Sequence, residues 1–252
     1  MQGNSWKELL EEAKRVWEQC RYPIAFTGAG VSVASGIPDF RSPGGLWSKY
    51  DPMKVATSEA IKNNPREVWE FLLETSDLLF SCGPNPAHNA LADLEKRFGL
   101  RGIITQNVDN LHQRAGSMEV VEFHGNFQRF YCQGCMREIE LNEIVEKTKE
   151  QTPPLCGCHS IIRPDVVFFG EAIPTQAMQR SQALIRNSDL ILIAGTSGEV
   201  SPANTIPREV KFKGGKIIEF NKGPTYYRDI TDIRFDGPVE EILPEFVKKL
   251  EV

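Results

Sequence analysis

Short apolar runs alternate along the chain with longer amphipathic stretches, and this pattern predicts the elements and their order. Residues 7–20 place apolar side chains on one face at helical spacing, which predicts an amphipathic helix. Residues 87–97 and 175–187 are typical of helices as well. Short apolar runs, bounded by Gly, Asn or Asp, predict buried strands at 24–27, 102–105, 120–123, 166–169, 190–194 and 216–220.

The alternation of strands with helices predicts an α/β protein with a mostly parallel sheet. Two segments do not fit this pattern: residues 42–83 are rich in helix-like sequence, and residues 128–163 carry four cysteines and a Pro-Pro break. Each is predicted to be an insertion, and the two insertions together are predicted to form a small domain. The larger domain is then expected to comprise residues 1–41, 84–127 and 164–252.

The composition narrows the class of protein further. The chain has 252 residues, of which 40% are apolar and 25% charged, as in ordinary globular proteins. Its net charge of −5 argues against a nucleic-acid coat or a polybasic membrane binder, so neither partner is expected. No stretch approaches the roughly 20 apolar residues of a membrane span, and the first residues lack an apolar signal core. A cytoplasmic location is expected.

Four of the six cysteines lie close together in the sequence, as Cys132-x2-Cys135 and Cys156-x-Cys158. Four thiolates in two pairs can close a tetrahedral zinc site with no open position, which predicts a structural metal. The second pair is shorter than usual, which leaves two alternatives: a tighter knuckle, or His159 in place of one thiolate. The four-cysteine set is favoured.

A glycine-rich turn follows the first predicted strand, at Gly28-Ala29-Gly30. Glycines there let backbone N–H groups approach a pyrophosphate closely, although simple turn formation would explain them as well. The next glycine comes six residues later rather than three, so the usual dinucleotide fingerprint is absent. An anion, a ring and a cation follow the turn at Asp39, Phe40 and Arg41, which favours a binding function.

Polar residues follow the next two strands. Gln106, Asn107 and Asp109 come after the run at 102–105, where amide and carboxylate groups could bind a carboxamide and ribose hydroxyls. Capping of a helix by Asn107 or Asp109 is an equal alternative. His124 ends the run at 120–123 and could act as a general base, although a single histidine is more often structural.

Two later strand ends complete the candidate site. Gly195, Thr196 and Ser197 follow the run at 190–194, and Asn221 follows the run at 216–220. Both loops suit contacts with ribose or adenine, although each alone would be interpreted as a turn.

Taken together, these blocks resemble the sirtuin family of NAD-dependent protein deacylases over nearly the whole chain. The resemblance is carried by the glycine turn with Gly36-Ile37-Pro38-Asp39-Phe40-Arg41, Pro84-Asn85-Pro86-Ala87-His88, Thr105-Gln106-Asn107-Val108-Asp109, Leu111-His112-Gln113-Arg114-Ala115-Gly116, His124-Gly125-Asn126, the four cysteines, residues 163–171 and Gly195-Thr196-Ser197. It implies a Rossmann-like domain and a small zinc-bearing domain, with NAD and an acyl-lysine peptide between them.

The resemblance also implies roles for the candidate residues. Gly28, Ala29 and Gly30 would hold the pyrophosphate, and Asp39, Phe40 and Arg41 would line the nicotinamide side. Ser32 is also a cofactor-binding candidate, of a residue type that suits the positive charge developing on the ribose carbon. The ribose and carboxamide would contact Gln106, Asn107 and Asp109, and the adenosine half would contact Gly195, Thr196, Ser197 and Asn221. Substrate binding would fall to Val167, Phe169 and Gly170, which match the segment that pairs with the peptide backbone.

In the family, the acyl oxygen attacks the nicotinamide ribose and nicotinamide leaves. The histidine at the position of His124 then acts as a general base on a ribose hydroxyl, and Asn107 and Asp109 are implied to assist catalysis. Free lysine and O-acetyl-ADP-ribose are the products implied for an acetylated substrate. Alternatives are NAD hydrolysis or ADP-ribosyl transfer, and a non-catalytic NAD sensor or zinc scaffold.

Two further departures from the family pattern concern the substrate. The loop at 198–202 lacks the bulky apolar residue and the aromatic common there. Leu72 and Thr75 stand where sirtuins selective for succinyl and malonyl groups have Tyr and Arg. Without that cationic pair, an acidic acyl chain would bury an unpaired charge, so acetyl or other uncharged acyl groups are expected.

Overall fold

A computed structural model describes residues 5–39 and 44–252. The predicted mostly parallel sheet is present: six strands lie in the order β3-β2-β1-β7-β8-β9, and every pairing among them is parallel. These strands are β1 (Pro23–Thr27), β2 (Ile103–Thr105), β3 (Val120–Glu122), β7 (Leu190–Ala194), β8 (Lys216–Asn221) and β9 (Ile233–Asp236). Strand β9, which the sequence pattern did not predict, is the edge strand next to β8.

Helices cover both faces of this sheet, as an apolar parallel sheet requires. One face packs against α1 (Ser5–Gln19), α6 (Pro86–Phe98) and α11 (Val239–Leu250). The other packs against α9 (Thr175–Asn187) and α10 (Ile206–Phe212). The central strands β1 and β7 are buried along their whole length, so the sheet forms the middle layer of a three-layer α/β domain.

A second core belongs to the smaller unit. Its antiparallel sheet has the order β5-β4-β6, formed by β4 (Gly125–Cys132), β5 (Glu138–Ile139) and β6 (Ile162–Val166). Its helices are α2 (Leu46–Lys49), α3 (Pro52–Val55), α4 (Ser58–Asn63), α5 (Pro65–Ser81) and α8 (Leu141–Glu150). The short α7 (Leu111–Arg114) follows β2 and contributes Leu111 to this core.

The prediction of a buried parallel strand at 166–169 was wrong. Regular strand structure ends at Val166, and β6 pairs antiparallel with β4 in the small sheet. Only Phe168 of residues 167–169 is buried, and Phe169 forms an isolated bridge with Thr57. An apolar run of this length shows that a segment is extended, but it does not identify the partner strand.

The two units are joined by continuous strands. β4 runs through the predicted boundary at residues 127–128, and β6 runs through the one at 163–164. Their hydrogen bonds to each other therefore tie the cysteine-bearing segment to the residues that follow His124. In the described residues, no helix is long and apolar enough to cross a membrane.

Candidate functional site

The polar blocks singled out in the sequence meet at one edge of the large sheet. β1, β2, β7 and β8 are parallel neighbours, so the residues after their carboxyl ends share that edge. In an open α/β sheet this is where ligands bind, at the point where the strand order reverses direction. Here β1 lies between β2 and β7, and the strand order runs outward from β1 in both directions. The switch point is therefore at the end of β1, beside the glycine turn.

The glycines of this edge pack against one another. A Cβ on Gly28 would lie 2.7 Å from the Thr196 Cβ, and one on Gly195 would lie 2.2 Å from the Val31 nitrogen. The Gly30 N–H donates to the Gly195 carbonyl at 2.8 Å, so it is engaged within the protein. Close approach of two strand-end loops is thus one reason for glycine here.

Two buried residues, Ser32 and Asp109, and the half-buried Asn107 form a hydrogen-bonded cluster. Ser32 Oγ donates to Asp109 Oδ2 at 2.6 Å, and Asn107 Nδ2 donates to Ser32 Oγ and to the Gly28 carbonyl, both at 3.1 Å. The cluster joins the turn after β1 to the loop after β2. The sequence predicted that these residues belong to one site, and the structure brings them together.

The capping alternative applies to Asp109 only. Its Oδ1 accepts from the Leu111 N–H at 2.9 Å, at the start of α7, while its Oδ2 faces Ser32. Burial raises the pKa of this carboxyl, and the bonds from Ser32 and Leu111 oppose that rise. The Asp109 carboxylate therefore both stabilises the loop and accepts the hydrogen bond from Ser32 in the polar cluster.

Two histidines lie beneath the cluster, a pairing that the sequence analysis did not predict. His88 Nε2 is 3.4 Å from Ser32 Oγ, and its ring centroid is 4.9 Å from that of His112. His88 Nδ1 accepts from the Asn85 N–H at 3.3 Å, so Nε2 carries the proton. The signal in the sequence was Asn85 before Pro86, a helix start that turns the residue three positions later back toward the cap.

His112 continues the polar chain toward the sheet. Thr27 Oγ1 donates to Thr105 Oγ1 at 2.8 Å, so at 2.9 Å it accepts from His112 Nε2. Among the described residues, His112 Nδ1 has no partner, as a neutral ring with its proton on Nε2 allows. The ends of β1 and β2 are thereby held together below the site.

We expect this histidine pair to make stability depend on pH. Burial lowers the pKa of His88 to about 4 and that of His112 well below its usual value. Below about pH 6.5 the unfolded chain therefore binds protons that the folded chain does not, so stability falls with falling pH. Each histidine contributes at most about 1.4 kcal/mol per pH unit, the limit reached where it is protonated in the unfolded chain and neutral in the folded one.

Chemical denaturation at several pH values between about 7 and 5 measures this slope. The His88→Gln variant should show a slope smaller by about 1 kcal/mol per pH unit on average over this range. Lys213→Gln, at an exposed position far along the chain, should keep the wild-type slope. An equal slope in wild type and His88→Gln would contradict the assignment.

His124 lies on the same edge, between β3 and β4. Its Nδ1 is 3.2 Å from the Gln106 carbonyl, which can only accept, so Nδ1 carries the proton and Nε2 is the basic nitrogen. Burial lowers the pKa of His124, and the bond to Gln106 opposes this only in part. The ring is therefore neutral near pH 7 and able to accept a proton at Nε2.

The loops after β7 and β8 are bonded to each other and to the loop after β2. Asn221 Nδ2 donates to the Thr196 carbonyl at 2.7 Å, and Gln106 Nε2 donates to Thr196 Oγ1 at 3.0 Å. Ser197 is half-buried, and its carbonyl accepts from Tyr226. These predicted site residues therefore share one continuous surface with Gln106.

Asp39 ends the first described segment, and its carbonyl accepts from Leu46. The predicted site residues Phe40 and Arg41 lie outside the described residues.

The predicted substrate segment borders His124 on the other side. The Val167 N–H donates to the His124 carbonyl at 2.9 Å, and the Phe169 N–H donates to the Ala56 carbonyl at 2.9 Å. Phe169 and Gly170 are exposed. The segment thus links β4, which begins after His124, to the helical part of the small unit.

The four clustered cysteines form a site of the size that zinc requires. Their Sγ atoms all lie within 4.8 Å of one another, with 3.4 Å between those of Cys132 and Cys158 and 3.7 Å between those of Cys135 and Cys156. Four thiolates about 2.3 Å from a tetrahedral zinc would be about 3.8 Å apart, so the set fits this metal.

The short second pair still supplies two ligands. The backbone turns tightly there, with His159 at a φ of 65° and its N–H donating to the Cys156 carbonyl at 2.8 Å. His159 is exposed, and the metal-type cluster comprises the four cysteines without it. The four-cysteine alternative favoured from the sequence is the one that the geometry supports.

Comparison with known proteins assigns the family. The Sir2 family matches residues 28–202. A NAD-dependent protein deacylase of Thermococcus kodakarensis is 42% identical over 96% of this chain and 96% of its own length. A NAD-dependent protein deacetylase of Sulfurisphaera tokodaii is 49% identical over 88% of each chain.

Solved structures agree with the sequence relatives. A Sir2 enzyme structure that is 38% identical superposes with a TM-score of 0.91, over 97% of this chain and 98% of that one. A Sir2 complex with a p53 peptide and NAD⁺ gives a TM-score of 0.88 at 34% identity, over 95% and 98% of the two chains. The fold is that of the Sir2 proteins, and the relatives show that the chain is an NAD-dependent protein deacetylase. The chain belongs to the Sir2 family.

Proposed function

We propose that this NAD-dependent protein deacetylase removes acetyl groups from lysine side chains at the sheet edge described above, releasing nicotinamide and O-acetyl-ADP-ribose. The observation that carries the proposal is the placement of His124. A neutral histidine with its basic nitrogen unprotonated stands on the same edge as the cluster of Ser32, Asn107 and Asp109. A non-catalytic NAD sensor would need no base there.

Different loops at this sheet edge bind different parts of NAD. NAD supplies the activated nicotinamide–ribose bond when it is bound. Gly28, Ala29, Gly30 and Ser32 border its pyrophosphate, and Gly30 acts by lacking a side chain, since its N–H is engaged. Gly195, Thr196, Ser197 and Asn221 take the adenosine half. Asp39, Phe40, Arg41, Gln106, Asn107 and Asp109 take the nicotinamide half.

The protein's own groups then set the chemistry. Positive charge would develop on the ribose carbon as nicotinamide leaves, and the dipoles of Asn107 and Ser32 with the charge of Asp109 are arranged in advance to stabilise it. His124 takes a proton at Nε2 from a ribose hydroxyl, because Gln106 holds the proton on Nδ1. Burial of Ser32 and Asp109 keeps bulk water from competing at the ribose carbon, and one water molecule is taken up in the later step that releases the free lysine.

The substrate peptide adds to the segment that carries Val167, Phe169 and Gly170. Solved Sir2 structures hold p53 peptides, which supports an extended acyl-lysine peptide as the substrate class. Among the described contacts, none engages the Val167 carbonyl, so this edge is open to a strand-like partner. Because the Val167 N–H is bonded to the His124 carbonyl, an acyl-lysine paired with this segment would lie close to His124.

Zinc held by the four cysteines has a structural role, because four thiolates leave no coordination position for substrate. The proposed nucleotide-binding domain comprises residues 1–41, 84–127 and 164–252 and the small domain residues 42–83 and 128–163, with strands β4 and β6 of the small sheet crossing between them. The clustering of four cysteines as a metal-type site, rather than as disulfides, suits a reducing compartment, so we propose a cytoplasmic location.

Nicotinamide release tests the proposal. Wild-type protein is incubated with NAD, with and without an acetyl-lysine peptide, and both nicotinamide and deacetylated peptide are measured. Peptide-dependent release in a one-to-one ratio with deacetylation is expected. Release that is independent of the peptide would indicate an NAD glycohydrolase or ADP-ribosyltransferase. No release with any acylated peptide would indicate a sensor.

Acetyl peptides should be preferred over succinyl peptides. On α5, Leu72 is buried and Thr75 donates its hydroxyl to the Phe71 carbonyl at 2.8 Å, so neither offers a cation to a carboxylate. An unpaired buried carboxylate costs at least about 1.4 kcal/mol, which is about tenfold in kcat/KM. We therefore expect succinyl turnover at least about tenfold below acetyl turnover.

Kinetics on matched acetyl- and succinyl-lysine peptides check this expectation. The double variant Leu72→Tyr/Thr75→Arg should raise the succinyl-to-acetyl ratio, and Lys213→Arg should leave it unchanged. Succinyl turnover that equals or exceeds acetyl turnover in the wild type would contradict the expectation.

A further inference from the structure

A pocket of about 380 Å³ opens beside the predicted substrate segment. We call it the side pocket and define it by Ser58, Lys62, Asp165, Val167, Gly170 and Glu171. Two of these residues, Val167 and Gly170, are predicted to bind the peptide backbone. A side chain from a residue near the acyl-lysine would therefore enter the side pocket directly.

Helix α4 is held firmly against this segment. The Ser58 N–H donates to the Phe169 carbonyl, and the Phe169 N–H donates to the Ala56 carbonyl, both at 2.9 Å. Thr57 caps α4 by accepting from the Ala60 N–H at 3.0 Å. Ser58 and Lys62 are four residues apart, so they share one face of α4. The position of Lys62 at the side pocket is thus set by the same contacts that fix the peptide-binding edge.

The carboxylates that line the side pocket are already paired. Glu171 accepts from both terminal nitrogens of Arg163, at 2.6 and 2.8 Å, and from the Phe168 N–H at 2.9 Å. These contacts hold the pKa of Glu171 below its usual value despite burial. Asp165 accepts from Arg129 at 2.9 Å. Neither carboxylate therefore offers a strong site for a further cation.

Lys62 differs from these groups. It is exposed, and its charge acts on Glu171 only through space. Within the ranges 5–39 and 44–252, no ion pair involves it, whereas both lining carboxylates have arginine partners. Asp165 shares Arg129 with Glu122, whereas Lys62 has no ion-pair partner among the described residues. The side pocket thus presents one unpaired ammonium group next to the predicted path of the peptide.

We propose that the side pocket selects an acidic side chain in the substrate, close in sequence to the acyl-lysine, and that Lys62 is the residue that selects it. Successive side chains of an extended peptide point to opposite sides, so one neighbour of the acyl-lysine can face the pocket while the next faces solvent. This inference rests on the proposed function, since it needs the peptide on the segment that includes Val167.

A panel of acetyl-lysine peptides tests the inference. Each peptide carries Glu, Gln or Lys at one of the two positions on either side of the acetyl-lysine, and kcat/KM is measured at low ionic strength. At one position or more, the Glu peptide should exceed the Lys peptide by about two- to fivefold, the range of a partly exposed ion pair. Added salt should reduce that ratio.

Variants separate Lys62 from the rest of the surface. The Glu-to-Lys ratio should fall to about one in Lys62→Gln and reverse in Lys62→Glu, and using a ratio removes any general loss of activity. Lys213→Glu makes the same charge change at an exposed position away from the side pocket and should keep the wild-type ratio.

Two results would overturn the inference: a wild-type enzyme that turns over the three peptides equally at every position, or a preference for Glu that survives in Lys62→Glu. A failure of the underlying function looks different, because then no peptide in the panel is deacetylated.

Discussion

Replacing His124 with alanine should lower the rate of deacetylation by about 10²- to 10⁴-fold, the contribution of a general base. The Nδ1–H bond to the Gln106 carbonyl leaves Nε2 as the only basic atom of the ring, and alanine removes it. Because burial lowers the pKa of His124, the wild-type ring is neutral near pH 7 and available as a base in most molecules. The substitution therefore removes a base that is active at that pH. Deacetylation of an acetyl-lysine peptide, followed together with nicotinamide release, measures the effect.

A second histidine provides the control for this substitution. His159 is exposed and lies outside the strand-end site, so His159→Ala should deacetylate at the wild-type rate. Binding of NAD by His124→Ala, measured by calorimetry, shows that the site still forms. Deacetylation by His124→Ala within about tenfold of wild type would contradict the role of this residue as a base.

Removing one buried cysteine should release zinc and unfold the small domain. Structural zinc contributes on the order of 10–16 kcal/mol in zinc-finger peptides, which is as large as the whole stability of a typical domain. Cys132 is fully buried and belongs to the core of the small unit, so Cys132→Ser breaks both the ligand set and the packing. Zinc content should fall from one ion per chain to almost none.

Trp69 reports on the small domain directly. Its Nε1 donates to the Ile162 carbonyl at 2.9 Å, and its ring stacks on Phe130 at 6.2 Å, so its fluorescence should shift to the red when this core opens. A chelator acting on the wild type should give the same shift as Cys132→Ser. This agreement separates loss of zinc from a local effect of the substitution.

Substitutions at Cys20 and His159, which lie outside the proposed ligand set, serve as controls. Cys20→Ser should keep one zinc per chain, because the Cys20 thiol lies on the other domain and donates to the Trp17 carbonyl. His159→Ala should keep it as well. Loss of zinc from His159→Ala, together with retention in Cys158→Ser, would show instead that His159 replaces a thiolate.

The sequence alone determined the fold class and most of the candidate site. The run at 190–194 is apolar at every position, and only a strand covered on both faces suits that composition; β7 is buried throughout. Polar residues directly after such runs must lie at the same sheet edge when the strands are parallel. Gln106, Asn107, His124 and Thr196 could therefore be grouped before their positions in space were known.

The tertiary structure alone decided the features that depend on a partner from elsewhere in the chain. Residues 166–169 are apolar and extended, yet the neighbour of β6 is β4, because pairing is set by where distant segments pack. The rings of His88 and His112 contact each other, at a tilt of 59°, through helix packing that no local pattern records. Likewise, Lys62 stands out only because the carboxylates around it pair with Arg163 and Arg129 instead. Local sequence sets conformation and burial, whereas pairing and charge balance arise only when remote side chains meet.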